Sequence, residues 1–203
     1  AFKKPIILST GMNDLNSIRP AVEIFRKHNI PYALMHTTNI YPTPDRLVRL
    51  GAMTELQETF DDAVVGLSDH TTTNHACFGS VALGASILER HFTDSMTRKG
   101  PDIINSMDPL AAQELIFGAN TIFEQRGGSK GPVEEEIPTI QFAFASVVSI
   151  NNIRKGEIFS KENLWVKRPG TGEILAVDYE SILGKRAMND ILSGQQLKLE
   201  DIQ

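Results

Sequence analysis

The stretch AVVGLSDHTTTNHACFGSVALGASILERHFT, residues 63–93, decides the fold. Two short β-rich runs, AVVGLSD and ASILERHF, flank a segment of small residues with helical apolar spacing, NHACFGSVALGA. Strand, helix and strand in this order make a parallel β/α unit. Two more β-rich runs lie upstream, KPIILST and PYALMHT, each leading into a longer segment of helical period. The first of these helices is signalled by Asn13, Asp14 and Asn16 ahead of IRPAVEIFRKH, where Ile18, Ala21, Val22 and Phe25 share one face. The second is predicted to run through PDRLVRLGAMTELQETF, with Pro44 near its start. A fourth helix follows SMDP, with Asp108 as cap and Pro109 in the first turn, and stops at Gly127 and Gly128. Residues 1–128 therefore read as four consecutive β/α units.

Beyond them the grammar changes. SKGPVEEEIPT, residues 129–139, is charged, carries two prolines and lacks apolar periodicity, so it reads as a linker. Residues 140–203 are predicted to form a small β-rich domain of short strands and turns. They contain an echo at an offset of 38 residues, IRKGEIFSKENL from 153 and ILSGQQLKLEDI from 191, which predicts two pseudo-symmetric halves.

The 203 residues carry a 41% apolar fraction, ample for a core, and a net charge of −5. No basic block exceeds two residues, which excludes an electrostatic footprint for nucleic acid or an anionic membrane. No apolar run approaches the ~20 residues of a membrane span, and the start lacks the apolar core of a signal peptide. The lone Cys77 excludes an internal disulfide, favours a reducing cytoplasm, and reads as a packing residue beside small apolar neighbours. The chain opens without Met and enters a strand almost at once, which suggests a piece of a longer protein.

In a parallel sheet, ligands sit beyond the carboxyl ends of the strands. Those ends offer Ser9 and Thr10; His36, Asn39 and Tyr41; Ser68, Asp69 and His70; and Glu89 and His91. Strand parity places Ser68 with His70 and Glu89 with His91, and turns Asp69 the other way. A carboxylate such as Glu89 in an apolar strand is costly to bury unless paired or functional. Two imidazoles from adjacent strand ends make a plausible metal pair. The bland alternative, histidines that merely satisfy loop carbonyls, stays open, and it is preferred for His28 and His75.

These residues lie in motifs with a recognisable order: KPIILSTGM, GLSDHT, ERHFT, GPD, FAFASVV and ENLWVKRPGTGE. Together they resemble the bacterial sialic acid synthases, which make N-acetylneuraminate, legionaminate and pseudaminate. The resemblance implies an α/β fold, the second half of a (β/α)8 TIM-type barrel, followed by an antifreeze-like SAF domain. It implies condensation of phosphoenolpyruvate with an N-acetylated hexosamine such as N-acetylmannosamine, releasing phosphate. His70 and His91 match the ligands of a divalent metal, Mn2+ first, with Mg2+ or Co2+ as alternatives. Ser9, Asn39 and Ser68 match positions that bind phosphoenolpyruvate, while Tyr41, Glu89 and Asp102 match positions around the acceptor sugar. Arg168 matches an SAF arginine that reaches the barrel mouth of a partner subunit in a domain-swapped homodimer, where Phe142 adds apolar cover. The phosphate-binding lysines belong to the absent barrel half, so the isolated chain is expected to be inactive. Ile103 stands where many members carry histidine, which leaves the acceptor open, and Ser95 where arginine is frequent, which leaves the charge of that loop open.

Two alternatives remain at this level. Another phosphoenolpyruvate-dependent barrel synthase or aldolase predicts a basic cluster at these strand ends, and none is visible. A non-enzymatic SAF module for carbohydrate binding or dimerisation, or an ice-binding surface, is the other. Lys155, Glu157, Lys161, Glu162, Lys167 and Arg168 charge that segment too heavily for ice.

Overall fold

The computed structural model describes residues 4–203, which divide into compact units, residues 4–128 and 129–203. In the first unit, β1 (Ile6–Ser9), β2 (Tyr32–Thr37), β3 (Val64–Asp69) and β4 (Ile87–Arg90) form one parallel sheet in chain order. Helices α1 (Leu15–Lys27), α2 (Gly51–Thr59), α3 (His75–Ala82) and α4 (Pro109–Gln125) follow the strands in turn. This is the half-barrel that the motifs imply.

Alternation along the strands separates two faces. Tyr32, Leu34 and Val65 join Ile18, Val22 and Phe25 of α1, Met53 and Leu56 of α2, and Phe60 in the main core. Leu67 packs with Cys77 and Leu115 in a second cluster nearer the strand ends. The opposite face carries Ser9, Met35, Thr37, Gly66, Ser68 and Glu89, and it is the inside of the half-barrel. Phe60, fully buried, anchors the main core, and truncating such a side chain to Ala costs about 3–5 kcal/mol.

The helix signals act largely as the sequence predicts. Asp14 caps α1 by accepting from the Ser17 amide at 2.8 Å, and Asp108 caps α4 by accepting from the Ala111 amide at 2.8 Å. The helix predicted to begin near Pro44 is broken. A 3-10 turn covers Asp45–Leu47, Arg49 takes a left-handed φ of 53°, and α2 begins only at Gly51. A left-handed residue cannot continue a right-handed helix, so the apolar spacing there serves two short elements.

In the second unit, the stretch predicted as a linker holds a 3-10 turn, Glu134–Glu136, and runs into α5 (Ile137–Ala143). Beyond it, β5 (Ser146–Ser149) pairs antiparallel with β6 (Leu164–Lys167), and α6 (Tyr179–Ile182) follows. The 38-residue echo is a structural pseudo-twofold. Ile153 and Ile191, one offset apart, exchange both backbone hydrogen bonds at 2.8 Å. The Phe159 amide donates to Lys185 O, and its counterpart Leu197 donates to Val147 O. Asn163 accepts from the Ser160 amide, and Asp201 from that of Lys198, at 2.8 and 2.9 Å. Gly156 and Gly194 both turn at positive φ, 84° and 86°. Phe159 and Leu197, buried from the two halves, meet in one core with Val147, Leu164 and Tyr179.

Candidate active site

The register of the sheet builds the site in layers. Thr37 lies opposite Ser68, and Ser68 opposite Glu89, so three polar side chains cross three strands side by side. Ser9 lies one layer lower, opposite Met35. One layer higher, beyond the last paired residues Asp69 and Arg90, come His70 and His91. Their rings are 5.2 Å apart and edge to face at 85°. Tyr41 lies over His70 with ring centres 4.2 Å apart, and 5.8 Å from His91.

His70 is buried, and its Nδ1 is 3.0 Å from Thr38 O. A carbonyl can only accept, so Nδ1 carries a proton, and in the neutral ring this leaves the lone pair on Nε2. That is the tautomer a metal ligand needs, with its second nitrogen held by a backbone carbonyl. His91 is half-buried. Its Nδ1 stands 4.0 Å from the Asp102 carboxylate, too far for a hydrogen bond but close enough for a charge to be felt. Asp102 itself holds a left-handed φ of 62° and accepts from the Ser106 hydroxyl through its carbonyl, at 2.7 Å.

The structure thus brings together Ser68, His70, Glu89, His91, Tyr41 and Asp102. Ser9 and Asn39 are exposed at the ends of β1 and β2, on or beside the same inner face. Glu89 is exposed too, which differs from the buried carboxylate that its apolar strand suggests. β4 is paired on one side only among the described residues, so its inward side chains meet open space. Arg168 and Phe142 belong to the second unit, where both are exposed. Within that unit the Gly170 amide donates to Gln141 O at 2.9 Å, holding the Arg168 loop beside α5.

Two imidazoles with ring centres 5.2 Å apart could supply part of the coordination shell of a divalent cation. Among the described residues no three His, Cys, Asp or Glu side chains gather around one point, so the remaining positions would go to water or substrate oxygen.

His36 stands apart from this constellation. Its Nε2 is bonded to Val48 O at 2.7 Å, and burial pushes its pKa down, so the ring stays neutral. With Thr10, Asn13, Arg49 and Glu55 it lines a cavity of about 610 Å3 on the helix side of β1 and β2. Cys77 is a packing residue, as its neighbours suggest. Burial, and then the nearby Asp69 carboxylate, pushes the thiol up to about 12.

Sequence reasoning missed the groups behind the histidines. Asp69 and Arg90 form an ion pair at 3.2 Å, with side chains 2% and 1% exposed. The signal was present: each histidine is preceded by a charge of opposite sign, and parity turns both charges toward the helices.

Comparison with known proteins gives the family. The NeuB family profile matches residues 1–131, well over half of the chain. The chain belongs to the NeuB family. A SAF domain matches residues 144–203. The N,N'-diacetyllegionaminic acid synthase of Campylobacter jejuni is 40% identical over 190 residues, covering 92% of this chain and 56% of that protein. The human N-acetylneuraminate-9-phosphate synthase is 28% identical over 186 residues, covering 91% and 52%. The crystal structure of the sialic acid synthetase of Leptospira borgpetersenii superposes with a TM-score of 0.62 at 31% identity, over 66% of this chain and 47% of that one. This NeuB chain spans about half the length of the curated relatives it matches. No helix among its described residues is long and apolar enough to cross a membrane.

Proposed function

We propose that this chain is the metal-binding and acceptor-binding part of a sugar-acid synthase that condenses phosphoenolpyruvate with an N-acetylated hexosamine and releases phosphate. The supporting observation is the His70 and His91 pair, in register at adjacent strand ends, with His70 fixed as the tautomer that offers Nε2. His70 and His91 would hold a divalent cation, Mn2+ first, which supplies Lewis-acid polarisation of the acceptor's open-chain aldehyde. Ser9, Asn39 and Ser68 hydrogen-bond phosphoenolpyruvate so that its C3 faces that aldehyde carbon. Tyr41 and Asp102 bind acceptor hydroxyls across the mouth. The C2–C3 π pair forms the new carbon–carbon bond, and the aldehyde oxygen takes a proton from solvent. Water adds at the cationic C2 and gives a proton to Glu89, and the C2–O bond to phosphate then breaks as the C2 hydroxyl proton leaves with it, giving the ketone. Arg168 and Phe142 cover the acceptor's N-acetyl group in a domain-swapped dimer.

β1 and β4 each pair on one side only among the described residues. Four further β/α units, bearing the cationic groups that hold phosphate, would complete the barrel. The test compares this chain alone with a polypeptide that also carries those units, given Mn2+, phosphoenolpyruvate and N-acetylmannosamine or a legionaminate or pseudaminate precursor. Sugar acid and phosphate should form in equal amounts, only with the longer polypeptide, and not after His70→Ala or His91→Ala. Turnover by the 203-residue chain, or full activity in the histidine variants, contradicts the proposal.

A further inference from the structure

Asp69 and Arg90 are paired residues in the β3–β4 register, and each is the residue immediately before a candidate metal ligand. Both point away from the half-barrel interior. Arg90 Nε lies 3.2 Å from Asp69 Oδ2, off the line of a good hydrogen bond, so this contact is ionic rather than directional. The directional bonds go elsewhere. Arg90 Nη2 donates to Thr71 O at 2.7 Å, and Nη1 donates to Asn74 Oδ1 at 2.5 Å. Asp69 accepts from the Thr71 amide at 3.1 Å and from the Thr71 hydroxyl at 2.8 Å. Asn74, just before α3, donates in turn to Ala111 O and Glu114 Oε2 of α4, at 2.9 and 2.7 Å.

The residues on both sides of His70 are therefore held by one buried network, which also contains the residue before His91. A buried ionic contact is often no more stabilising than apolar groups of similar size, so the contact between the two charges alone does not account for the pair. Its geometry accounts for it better: the pair fixes β3 against β4 at the last paired residues, one step below both imidazoles.

We infer that Asp69 and Arg90 are positioning residues, which set the separation of His70 and His91 and keep the His70 Nδ1–H on Thr38 O. The inference rests on the reading of these histidines as metal ligands, and its test separates the two.

The 203-residue chain is compared with the double variant Asp69→Leu/Arg90→Met and with Arg90→Lys, which keeps the charge but loses the fork. Three quantities are read: unfolding midpoint, His70 tautomer by 15N-resolved imidazole NMR without metal, and Mn2+ affinity by paramagnetic broadening. The double variant should fold with a lowered midpoint, because Thr71 and Asn74 lose their partners, and it should show a mixture of His70 tautomers and bind Mn2+ about 10-fold or more weakly. Arg90→Lys should fall between the two in tautomer purity and affinity. A native tautomer and native affinity in the double variant overturn the inference, as they do in Arg90→Lys should the double variant not fold. If the native chain binds no Mn2+, the metal reading fails, and the tautomer measurement still decides the positioning claim.

Discussion

Gly66→Ala is the sharpest perturbation of the sheet that carries the site. Gly66 lies on the inner face of β3, one layer below Ser68 and two below His70, opposite Ile87 of β4. A methyl group there would run into Ile87 O and stand 2.7 Å from Met35 Sδ and 2.9 Å from Ile87 Cβ. The methionine can turn aside, but the carbonyl belongs to the neighbouring strand and cannot. β3 and β4 must therefore part, at a cost in the overpacking range of about 1–3 kcal/mol. For a unit of this size that lowers the unfolding midpoint by roughly 3–12 °C. Trp165, the only tryptophan, lies in the second unit, so its fluorescence follows that unit. Amide hydrogen exchange of Val65, Leu67 and Leu88 follows the first. Exchange at these amides should quicken while the tryptophan transition stays put. Gly51→Ala is the control, because nothing lies within 4 Å of its added methyl at the start of α2. Native protection in Gly66→Ala, equal to the control, refutes the packing argument.

Three further outcomes follow from the same structure. His36 is held below its ordinary 6.5 by burial, so the stability it contributes is full above that pH and declines as pH falls through its folded value. Thermal scans of native chain and His36→Gln between about pH 7.5 and about pH 5.5 should show the steeper loss in the native chain; parallel curves contradict this. Cys77, with its thiol near 12, should resist iodoacetamide at neutral pH until the chain unfolds, whereas alkylation at the rate of a free cysteine is the opposing result. Asn163→Ala and Asp201→Ala remove equivalent acceptors in the two halves of the second unit. Each should lower the tryptophan-reported stability by a similar amount, about 0.5–2 kcal/mol, and a large effect at only one of them breaks the pseudo-twofold account.

Most of this architecture was legible because its signals are local. Four β-rich runs, each answered by a helical period, define the half-barrel, and Asp14 and Asp108 announce two helix starts. The 38-residue echo announced the symmetry of the second unit, since Gly156 and Gly194 fix the same turn twice. What stayed illegible depends on contacts between distant residues. Arg49 breaks the second predicted helix through backbone conformation, which apolar spacing does not report. Glu89 looks buried in sequence, but its exposure depends on what stands beside β4. The Asp69 and Arg90 pair needed the strand register before opposite charges 21 positions apart could be seen to meet. Parity correctly turned Asp69 away from the mouth; its partner there was not anticipated.

The central claim is that His70 and His91 together hold one divalent cation. Mn2+ titrated into the 15N-labelled chain tests it directly through paramagnetic broadening of imidazole signals. His70 and His91 should broaden together at metal concentrations that leave His28, His36 and His75 sharp, and the effect should vanish at either site when the other is changed to Ala. Broadening spread evenly over all five histidines, or unchanged at His91 in His70→Ala, contradicts the account.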